Sequence, residues 1–313
     1  MRAVVTGGAG FIGSRLAASL LSAGYEVVVV DDLSSGSISN IPSGARFLSL
    51  NVNDGELPAL LADMRPHLVY HLAEQADVSR SLFDPSADMT TNVIGTLRVL
   101  EGCRLASAKI ILASTAAVFG KAGQRILDEN TPESPVSSYG LSKRTAERYA
   151  TWYWRMHGVP YTILRFANVY GPGQRARGDG GVVAVFLERM ARGLPLVIHG
   201  KGNQVRDFVH VDDVVRACVN AASRAACETI HIGTGEAWSI NAVAGELAKL
   251  HDAPLDIRHG DARPADVARS VFMPDKAARM LGWIPSIRFV DGLRSTYQSV
   301  FNRSDKDEDQ AQP

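Results

Sequence analysis

The N-terminus of the chain combines a short apolar strand, a glycine-rich turn and an apolar helix. Residues 3–6 lead into Gly7-Gly8-Ala9-Gly10-Phe11-Ile12-Gly13, and apolar residues over 11–23 then recur with a helical period. Glycines in such a turn permit positive φ and leave no Cβ between the backbone and a neighbouring group. A strand that turns this tightly into a helix is typical of a β-α-β crossover. The chain is therefore predicted to begin a parallel sheet.

The alternation of strands and helices continues along the chain and loosens in its second half. Such alternation predicts an α/β fold, with a doubly wound parallel sheet and a smaller C-terminal α/β domain. The predicted strands are 3–6, 26–31, 47–52, 68–72, 110–114 and 161–168, and the predicted helices are 11–23, 54–64, 84–105, 138–157 and 181–192.

Composition excludes several classes of partner. The 33 basic and 33 acidic residues balance, so no net charge favours a nucleic acid or a membrane surface. Cys103, Cys218 and Cys227 are odd in number and lack metal-ligand spacing, which predicts reduced thiols and no metal site. The chain starts without a signal-peptide pattern and has no apolar stretch long enough for a bilayer. We therefore expect a cytoplasmic protein.

An acidic residue follows the glycine turn at the distance typical of dinucleotide-binding folds. Asp31 ends an apolar strand roughly twenty residues after the turn. A carboxylate there accepts hydrogen bonds from the adenosine ribose hydroxyls and repels a 2′-phosphate. Residues 32–36 include no Arg or Lys that would hold such a phosphate. The sequence predicts NAD as cofactor, with its pyrophosphate at the N-terminus of the first helix.

A tyrosine and a lysine share one face of a later predicted helix. Tyr139 and Lys143 are four residues apart. A free phenol has a pKa of about 10, too high for a base at neutral pH. A neighbouring ammonium and a cationic nicotinamide are expected to lower this pKa, so that the phenolate takes a hydroxyl proton. Thr115, at the end of a predicted strand, is expected beside the same substrate oxygen.

These motifs resemble the extended short-chain dehydrogenase/reductase family, and within it the UDP-glucose 4-epimerase-like group. The resemblance extends from Thr6 to about residue 285. Besides the glycine turn, Thr115, Tyr139 and Lys143, it rests on His71-Leu72-Ala73, Asn92-Val93-Ile94-Gly95-Thr96 and the segments 165–172 and 206–213.

The resemblance implies two groups of site residues. Asn168 is expected near the substrate diphosphate, Arg206 and Arg263 at its phosphates, Asp266 at the nucleotide ribose, and Val182 in the same site. Thr115, Tyr139 and Lys143 are the expected catalytic residues. The expected cofactor contacts are Gly7, Gly10, Phe11, Ile12, Gly13, Asp31, Asp32, Asn51, Val52, Leu72, Ala73, Asn92, Tyr139 and Lys143.

The resemblance also implies a division of the chain. Residues 1–170 form the NAD-binding domain, to which the 206–235 region returns strands and helices. Residues 171–301 mainly bind the nucleotide sugar. The polar residues 302–313 are expected to be a disordered tail. A homodimer is expected through the helices at 84–105 and 138–157.

The residues that follow Thr115 favour one reaction within the family. Members that eliminate water carry an acid there, whereas this chain has Ala116-Ala117. Without a carboxylate to move the C5 proton, 4-epimerisation through a 4-keto intermediate is expected. A 4-keto-sugar reductase that consumes NAD(P)H and a non-catalytic NAD-binding regulator remain alternatives. Ser270, at a position that lines the sugar C2 substituent in the family, is small. UDP-N-acetylhexosamines are therefore expected beside UDP-glucose and UDP-galactose.

Overall fold

A parallel sheet forms the centre of the protein, and helices cover both of its faces. The computed structural model describes residues 1–123, 125–176, 181–263 and 266–308. Within these ranges the strands are β1 (Arg2–Thr6), β2 (Glu26–Asp31), β3 (Arg46–Ser49), β4 (Leu68–His71), β5 (Lys109–Thr115), β6 (Tyr161–Phe166), β7 (Asn168–Tyr170), β8 (Leu196–His199), β9 (Val205–Arg206), β10 (Phe208–His210), β11 (Glu228–Ile232), β12 (Trp238–Ser239), β13 (Ile257–Gly260) and β14 (Arg269–Ser270).

The helices of the described chain differ widely in length, and none combines the length and hydropathy needed to cross a membrane. A π-helical turn, Thr90–Ile94, joins α4 to α5. The helices are α1 (Phe11–Ser22), α2 (Leu57–Met64), α3 (Val78–Phe83), α4 (Pro85–Met89), α5 (Gly95–Ala106), α6 (Ser138–His157), α7 (Val182–Ala191), α8 (Val211–Ala221), α9 (Ile240–Leu250), α10 (Asp275–Leu281) and α11 (Phe289–Glu308).

The main sheet, as far as the structure describes it, has seven strands in the spatial order β11-β6-β5-β4-β1-β2-β3. Every neighbouring pair is parallel. The chain runs outward from β1 to β3 and then returns to β4, so the strand order reverses between β1 and β4. Ligands of such sheets bind outside the carboxyl ends of the strands at this reversal. The predicted doubly wound fold is confirmed, and the glycine turn lies at that edge.

Both faces of the main sheet are buried, which explains why its strands are nearly continuous apolar runs. In β2, Val27 and Val29 join the apolar cluster that includes residues of α1 and α8. Val28 and Val30 join the opposite cluster, which includes residues of α2, α5 and α6. Because successive side chains of a strand alternate between faces, one short run of valines serves both cores.

The C-terminal part of the chain has a smaller core of its own. There β8 pairs with β13, β9 pairs with β12 and β14, and β10 pairs with β7. Phe186 of α7, Phe208 of β10, and Phe289 and Leu293 of α11 belong to a third apolar cluster. The predicted smaller α/β part is thus present beside the main sheet.

Two predicted segments are divided in the structure. The helix predicted over 84–105 is split by the π turn, where the Asn92 amide donates to Ser142 Oγ at 3.1 Å. A π turn holds one residue more than an α turn, so it accommodates this inward side chain. The strand predicted over 161–168 ends at Phe166, because the Asn168 amide donates to the Asp207 carbonyl at 2.9 Å and begins β7.

Helix α11 reaches into the tail that the sequence predicts to be disordered. Phe289 and Leu293 anchor the first turns of this helix in the C-terminal core, and the helix extends to Glu308. Residues 302–308 contain no Gly or Pro that would interrupt it. Disorder over 302–313 stays a prediction, and residues 309–313 lie outside the described chain.

Candidate active site

The glycine turn presses the start of α1 against the end of β4. Gly7 has a φ of +69°, and a Cβ there would lie 2.7 Å from the Ala73 nitrogen. A Cβ at Gly13 would overlap the carbonyl oxygen of Gly7. Gly10 provides no side-chain cap for α1, so the amides of Phe11 and the following residue can bind an anion. The cradle fits the pyrophosphate of a dinucleotide.

Asp31 lies beside this cradle at the end of β2, where it is 8% exposed. One carboxylate oxygen accepts from the Ala9 amide at 3.0 Å, and the other accepts from the Leu33 amide at 2.8 Å. Each oxygen retains a further lone pair, so the carboxylate can still accept the two hydroxyls of a ribose. Position and geometry both fit the role predicted for Asp31.

Asn51 and Val52, two other expected cofactor contacts, also make contacts within the protein. The Asn51 amide donates to Asp32 Oδ2 at 2.6 Å, and Asn51 Oδ1 accepts from the Asn53 amide at 2.9 Å. Val52 is 5% exposed and packs in the sheet core. The adenine side of the cradle is therefore shaped by a closed polar turn, and the Asn51 carbonyl is engaged within it. An amide oxygen has two lone pairs, so contacts of Asn51 and Val52 with a cofactor stay predictions.

Asn92 is 1% exposed and supports the site from behind. Its Oδ1 accepts from the Gln75 amide at 2.9 Å, and its Nδ2 donates to Ser142 Oγ and to Asp88 Oδ1, both at 3.1 Å. These bonds connect the loop after β4 to helix α6. Asn92 therefore holds the segment of α6 that includes Ser142 and its neighbour Lys143 against this loop. A contact of Asn92 with the cofactor stays a prediction.

The predicted catalytic residues converge at the carboxyl edge of the sheet. Thr115 is the last residue of β5, and Tyr139 and Lys143 lie in the first two turns of α6. The Ser137 side chain caps this helix by accepting from the Gly140 amide at 3.1 Å. Tyr139 is 7% exposed and Lys143 is 2% exposed. The phenol and the ammonium are thus held in a site from which water is largely excluded.

The carboxylate of Glu74, which was not predicted from the sequence, contacts both the Lys143 ammonium and the Tyr139 hydroxyl. Glu74 Oε2 is 2.7 Å from Lys143 Nζ, and the Tyr139 hydroxyl donates to Glu74 Oε1 over a long 3.4 Å. Glu74 lies in the loop after β4, three residues beyond its last residue, at the same strand-end edge as Asp31 and Thr115. Its acidic side chain at that edge was the signal available in the sequence.

The environment of Tyr139 raises the pKa of its hydroxyl well above the ordinary value. Burial is the largest cause, the Glu74 carboxylate raises the pKa further, and hydrogen bonding with Thr115 lowers it. The predicted lowering requires the Lys143 ammonium together with a cationic nicotinamide, so it stays a prediction. In the protein alone, the Lys143 ammonium is paired with Glu74.

Substrate-sized space adjoins this pair in two connected compartments. The Tyr139 compartment has a volume of about 360 Å³ and is lined by Thr115 and Tyr139 at one end. The α7 compartment has a volume of about 330 Å³ and is lined by residues of α7, β8 and β9. Both are lined by Asn168, Gly181, Arg206, Arg263 and Asp266, so they form one elongated cleft.

The residues predicted to bind substrate are brought together along this cleft. Val182 lines the α7 compartment, and Ser270 lines the Tyr139 compartment. Arg206 forms an ion pair with Asp266 and donates to the Val267 carbonyl at 2.7 Å. Burial lowers the pKa of Arg206, and the Asp266 carboxylate opposes this shift. No local pattern in the sequence predicts that Arg206 and Asp266 pair with each other.

The Tyr139 compartment offers little acid–base chemistry beyond Tyr139. Asp266 is the one carboxylate among its described lining residues, and it is paired with Arg206. Ala116 and Ala117 occupy the positions after Thr115. Proton transfer at a second carbon of a bound sugar would need a further acid or base in this wall.

Comparison with known proteins agrees with this geometry. A UDP-glucose 4-epimerase of Mycolicibacterium smegmatis is 36% identical over 312 residues, which cover 97% of this chain and 100% of that protein. The structure of a Thermotoga maritima UDP-glucose 4-epimerase with UDP-glucose superposes with a TM-score of 0.91 at 38% identity, covering 97% of this chain and 99% of that one.

A Thermus thermophilus UDP-glucose 4-epimerase in complex with NAD superposes with a TM-score of 0.92 at 36% identity, covering 96% of this chain and 99% of the other. Residues 3–233 match the family model described as the NAD dependent epimerase/dehydratase family. This match spans the glycine turn, Thr115, Tyr139, Lys143 and Arg206. The chain belongs to the NAD dependent epimerase/dehydratase family.

Proposed function

We propose that the protein is an NAD-dependent UDP-sugar 4-epimerase that works through a 4-keto intermediate. The observation that carries this proposal is the continuity of the two compartments. Thr115 and Tyr139 line one end, while Arg206 and Arg263 line the junction with the α7 compartment. Guanidinium groups bind phosphate oxygens well, so a diphosphate at this junction would direct its sugar toward the phenol.

The residues of the chain then have separate tasks. As the phenolate, Tyr139 takes the proton from the sugar C4 hydroxyl, and as the phenol it later returns that proton, while Thr115 hydrogen-bonds the same oxygen. Lys143 holds the phenol and the cofactor ribose in place. When bound, NAD would accept the hydride from C4 of the sugar in its oxidised form and return it to the C4 ketone in its reduced form.

Epimerisation requires the ketone to present its opposite face before the hydride returns. Ala76, Ala116 and Ala117 line the Tyr139 compartment, and their short side chains leave room for this movement. Among the described lining residues, the one carboxylate, Asp266, is paired with Arg206, so no unpaired carboxylate there supports dehydration.

Of the dinucleotide cofactors, NAD best fits the cradle formed by the glycine turn, the start of α1 and Asp31. The amides at the start of α1 and the glycines at 7, 10 and 13 suit the pyrophosphate, and Asp31 suits the adenosine diol. Asp32 and Asn51 close the adjacent turn without a basic group. Leu72 and Ala73 pack directly against Gly7, so they form the other wall of the cradle.

The substrate range includes UDP-N-acetylhexosamines as well as UDP-glucose and UDP-galactose. Ser270 of β14 is 9% exposed and lines the same compartment as Tyr139. Its short side chain leaves space for an acetamido group, which a large side chain at this position would fill.

The proposal includes a division of labour along the chain. Residues 1–170, with the strands and helices returned from 206–235, bind NAD, and residues 171–301 mainly bind the nucleotide sugar. The return of β11 to the main sheet supports this division. Free thiols at all three cysteines suit the reducing cytoplasm, where we place the activity.

We further propose a homodimer. Apolar side chains on the outer surfaces of α5 and α6 would pair with their copies in a four-helix contact. Leu105 of α5 is 48% exposed, and Leu141 and Trp152 of α6 are 55% and 47% exposed. Such large exposed side chains on adjacent helices are typical of an interface.

Product analysis by NMR tests the proposed function. The protein is incubated with a panel of UDP-, dTDP- and GDP-sugars and with no added cofactor. We expect the 4-epimers of UDP-glucose and UDP-N-acetylglucosamine to form with no net change in cofactor. A product that appears only with stoichiometric NADH or NADPH would instead identify a 4-keto-sugar reductase.

A further inference from the structure

The proposed mechanism assigns no role to the partly buried carboxylate of Glu74. It contacts both Lys143, at 2.7 Å, and the Tyr139 hydroxyl, at 3.4 Å. The mechanism requires Tyr139 to release a proton, and a neighbouring negative charge opposes this release. The Glu74 carboxylate raises the pKa of the phenol, so a different function is needed to explain why it is there.

The position of Glu74 is fixed by the fold. The preceding residues, Leu72 and Ala73, pack against the backbone of Gly7 in the cofactor cradle. The following residue, Gln75, is held by Asn92 at 2.9 Å and by Asp88 at 3.0 Å. The side chain of Glu74 is 23% exposed, whereas that of Lys143 is 3% exposed. Glu74 is thus a fixed charge on the wall between the cradle and the catalytic pair.

The charges in this wall have a consequence for a bound nicotinamide. The oxidised ring is cationic and the reduced ring is neutral. With Lys143 alone beside it, the cleft would disfavour the cationic form, because like charges repel strongly where little water is present. The Glu74 carboxylate cancels the ammonium charge and removes this penalty.

We propose that Glu74 is the counter-charge of the Lys143 ammonium and thereby biases bound NAD toward its oxidised form. This inference rests on the proposed function, because it requires NAD in the cradle. In an epimerase the reduced cofactor exists only between the two hydride transfers. A bias toward the oxidised form drives the hydride back to the ketone and prevents release of the ketone from an enzyme left with NADH.

The test measures the redox equilibrium of the bound cofactor, without any sugar. Holoenzyme is equilibrated in redox buffers of known potential, and the absorbance of the reduced nicotinamide gives the bound NADH to NAD⁺ ratio. The variant Glu74→Gln keeps the shape of the side chain and removes its charge. We expect the ratio to rise about tenfold at a given potential, a shift of about 30 mV for a two-electron couple.

Two further variants make the result decisive. Glu74→Ala should shift the ratio in the same direction. Glu133→Gln should not shift it, because Glu133 pairs with Arg144 and Arg148 of α6 and with Arg165 of β6, and within the described chain it forms no ion pair or hydrogen bond with Tyr139 or Lys143. An unchanged ratio in both Glu74 variants would overturn the proposal.

If both Glu74 variants lost the fold or the cofactor, Glu74 would have a structural role. That outcome would also overturn the proposal. The proposed function fails separately. If the parent protein binds NAD but does not epimerise a UDP-sugar, the redox measurement is unaffected.

Discussion

In the proposed mechanism Tyr139 acts as a base, although its surroundings keep its hydroxyl protonated. Burial and Glu74 raise the pKa of the phenol, and Thr115 opposes them. The phenolate therefore depends on positive charge close by, which Lys143 and oxidised NAD supply. The catalytic residue is thus inactive until the complete site has assembled around it.

Replacement of Tyr139 by phenylalanine tests its role directly. Tyr139→Phe removes the hydroxyl that moves the proton and keeps the buried ring. Turnover should fall by roughly two to four orders of magnitude, while NAD stays bound. Tyr149→Phe is the matched control, because Tyr149 is 37% exposed on the same helix, and it should leave turnover unchanged. Near-full activity of Tyr139→Phe would refute the mechanism.

Ser270 controls which sugars enter, if the proposed substrate range is right. Ser270→Tyr should abolish turnover of UDP-N-acetylhexosamines and leave UDP-glucose largely active, because the larger ring fills the space of the acetamido group. Ser270→Ala, which keeps the space open, should accept both. Initial rates on the two substrates provide the comparison. An equal loss on both substrates in Ser270→Tyr would show that Ser270 is not the gate.

Single residues were predictable from the sequence where local pattern defines their place. Asp31 and Thr115 lie at strand ends, and Tyr139 and Lys143 share a helix face, so neighbouring residues already located them. The pairing of Arg206 with Asp266 depends on contact across sixty residues. The contact of Glu74 with Lys143 likewise joins β4 to α6. No local pattern contains such contacts.

Helix α6 is fixed to the sheet by a buried ionic network. Arg165 of β6 forms ion pairs with Glu147 of α6 and with Glu133, and the Ser114 hydroxyl of β5 donates to Glu147 at 2.5 Å. Ser114 precedes Thr115, and Glu147 lies one turn beyond Lys143. The network therefore connects the strand and the helix that carry the catalytic residues.

Removal of one partner from this network should be costly. Glu147→Ala leaves the guanidinium of Arg165 without its main partner, and we expect a loss of about 3–5 kcal/mol in the free energy of unfolding. Glu188→Ala breaks the exposed Glu188–Arg192 pair and should cost at most about 1 kcal/mol. Urea titration followed by circular dichroism measures both. Equal stability of the two variants would contradict this account of α6.

The sequence located most strands and helices but not their interruptions. Apolar runs mark buried strands such as β2, because packing on both faces demands them. The π turn at Thr90–Ile94 follows from the Asn92–Ser142 contact, and the end of β6 follows from pairing of Asn168 with Asp207. Both breaks arise from tertiary contacts, which override the local apolar pattern.

The outer surface of α5 and α6 is the place where we expect a second copy to bind. Light scattering at micromolar concentration should give the mass of a dimer. Leu141→Glu with Trp152→Glu should give a monomer, because charges would face the apolar side chains of the partner. Ile284→Glu, at an apolar side chain that is 65% exposed outside these helices, should remain a dimer. A monomeric parent protein would refute the interface.

At the scale of the whole molecule, an elongated cleft is lined by Tyr139 at one end and by Arg206 and Arg263 where its two compartments meet. We propose that the glycine turn holds the dinucleotide at the same edge of the sheet. The proposed chemistry is internal: the hydride removed from C4 returns to C4. The fold class followed from the sequence, and the sequence also placed the glycine turn, Tyr139 and Lys143 at the edge of the sheet where we propose that the cofactor binds. The shape of the cleft did not, because it depends on how α7, β9 and β14 pack around Arg206 and Ser270.

Return of the hydride to its own carbon can be followed with UDP-glucose that carries deuterium at C4. The substrate is incubated with the protein in ordinary water, with NAD supplied only in an amount equal to the enzyme, and the product is examined by NMR. The account predicts UDP-galactose with the deuterium retained at C4. Replacement of the deuterium by solvent hydrogen, or product formation that requires stoichiometric NADH, would contradict it.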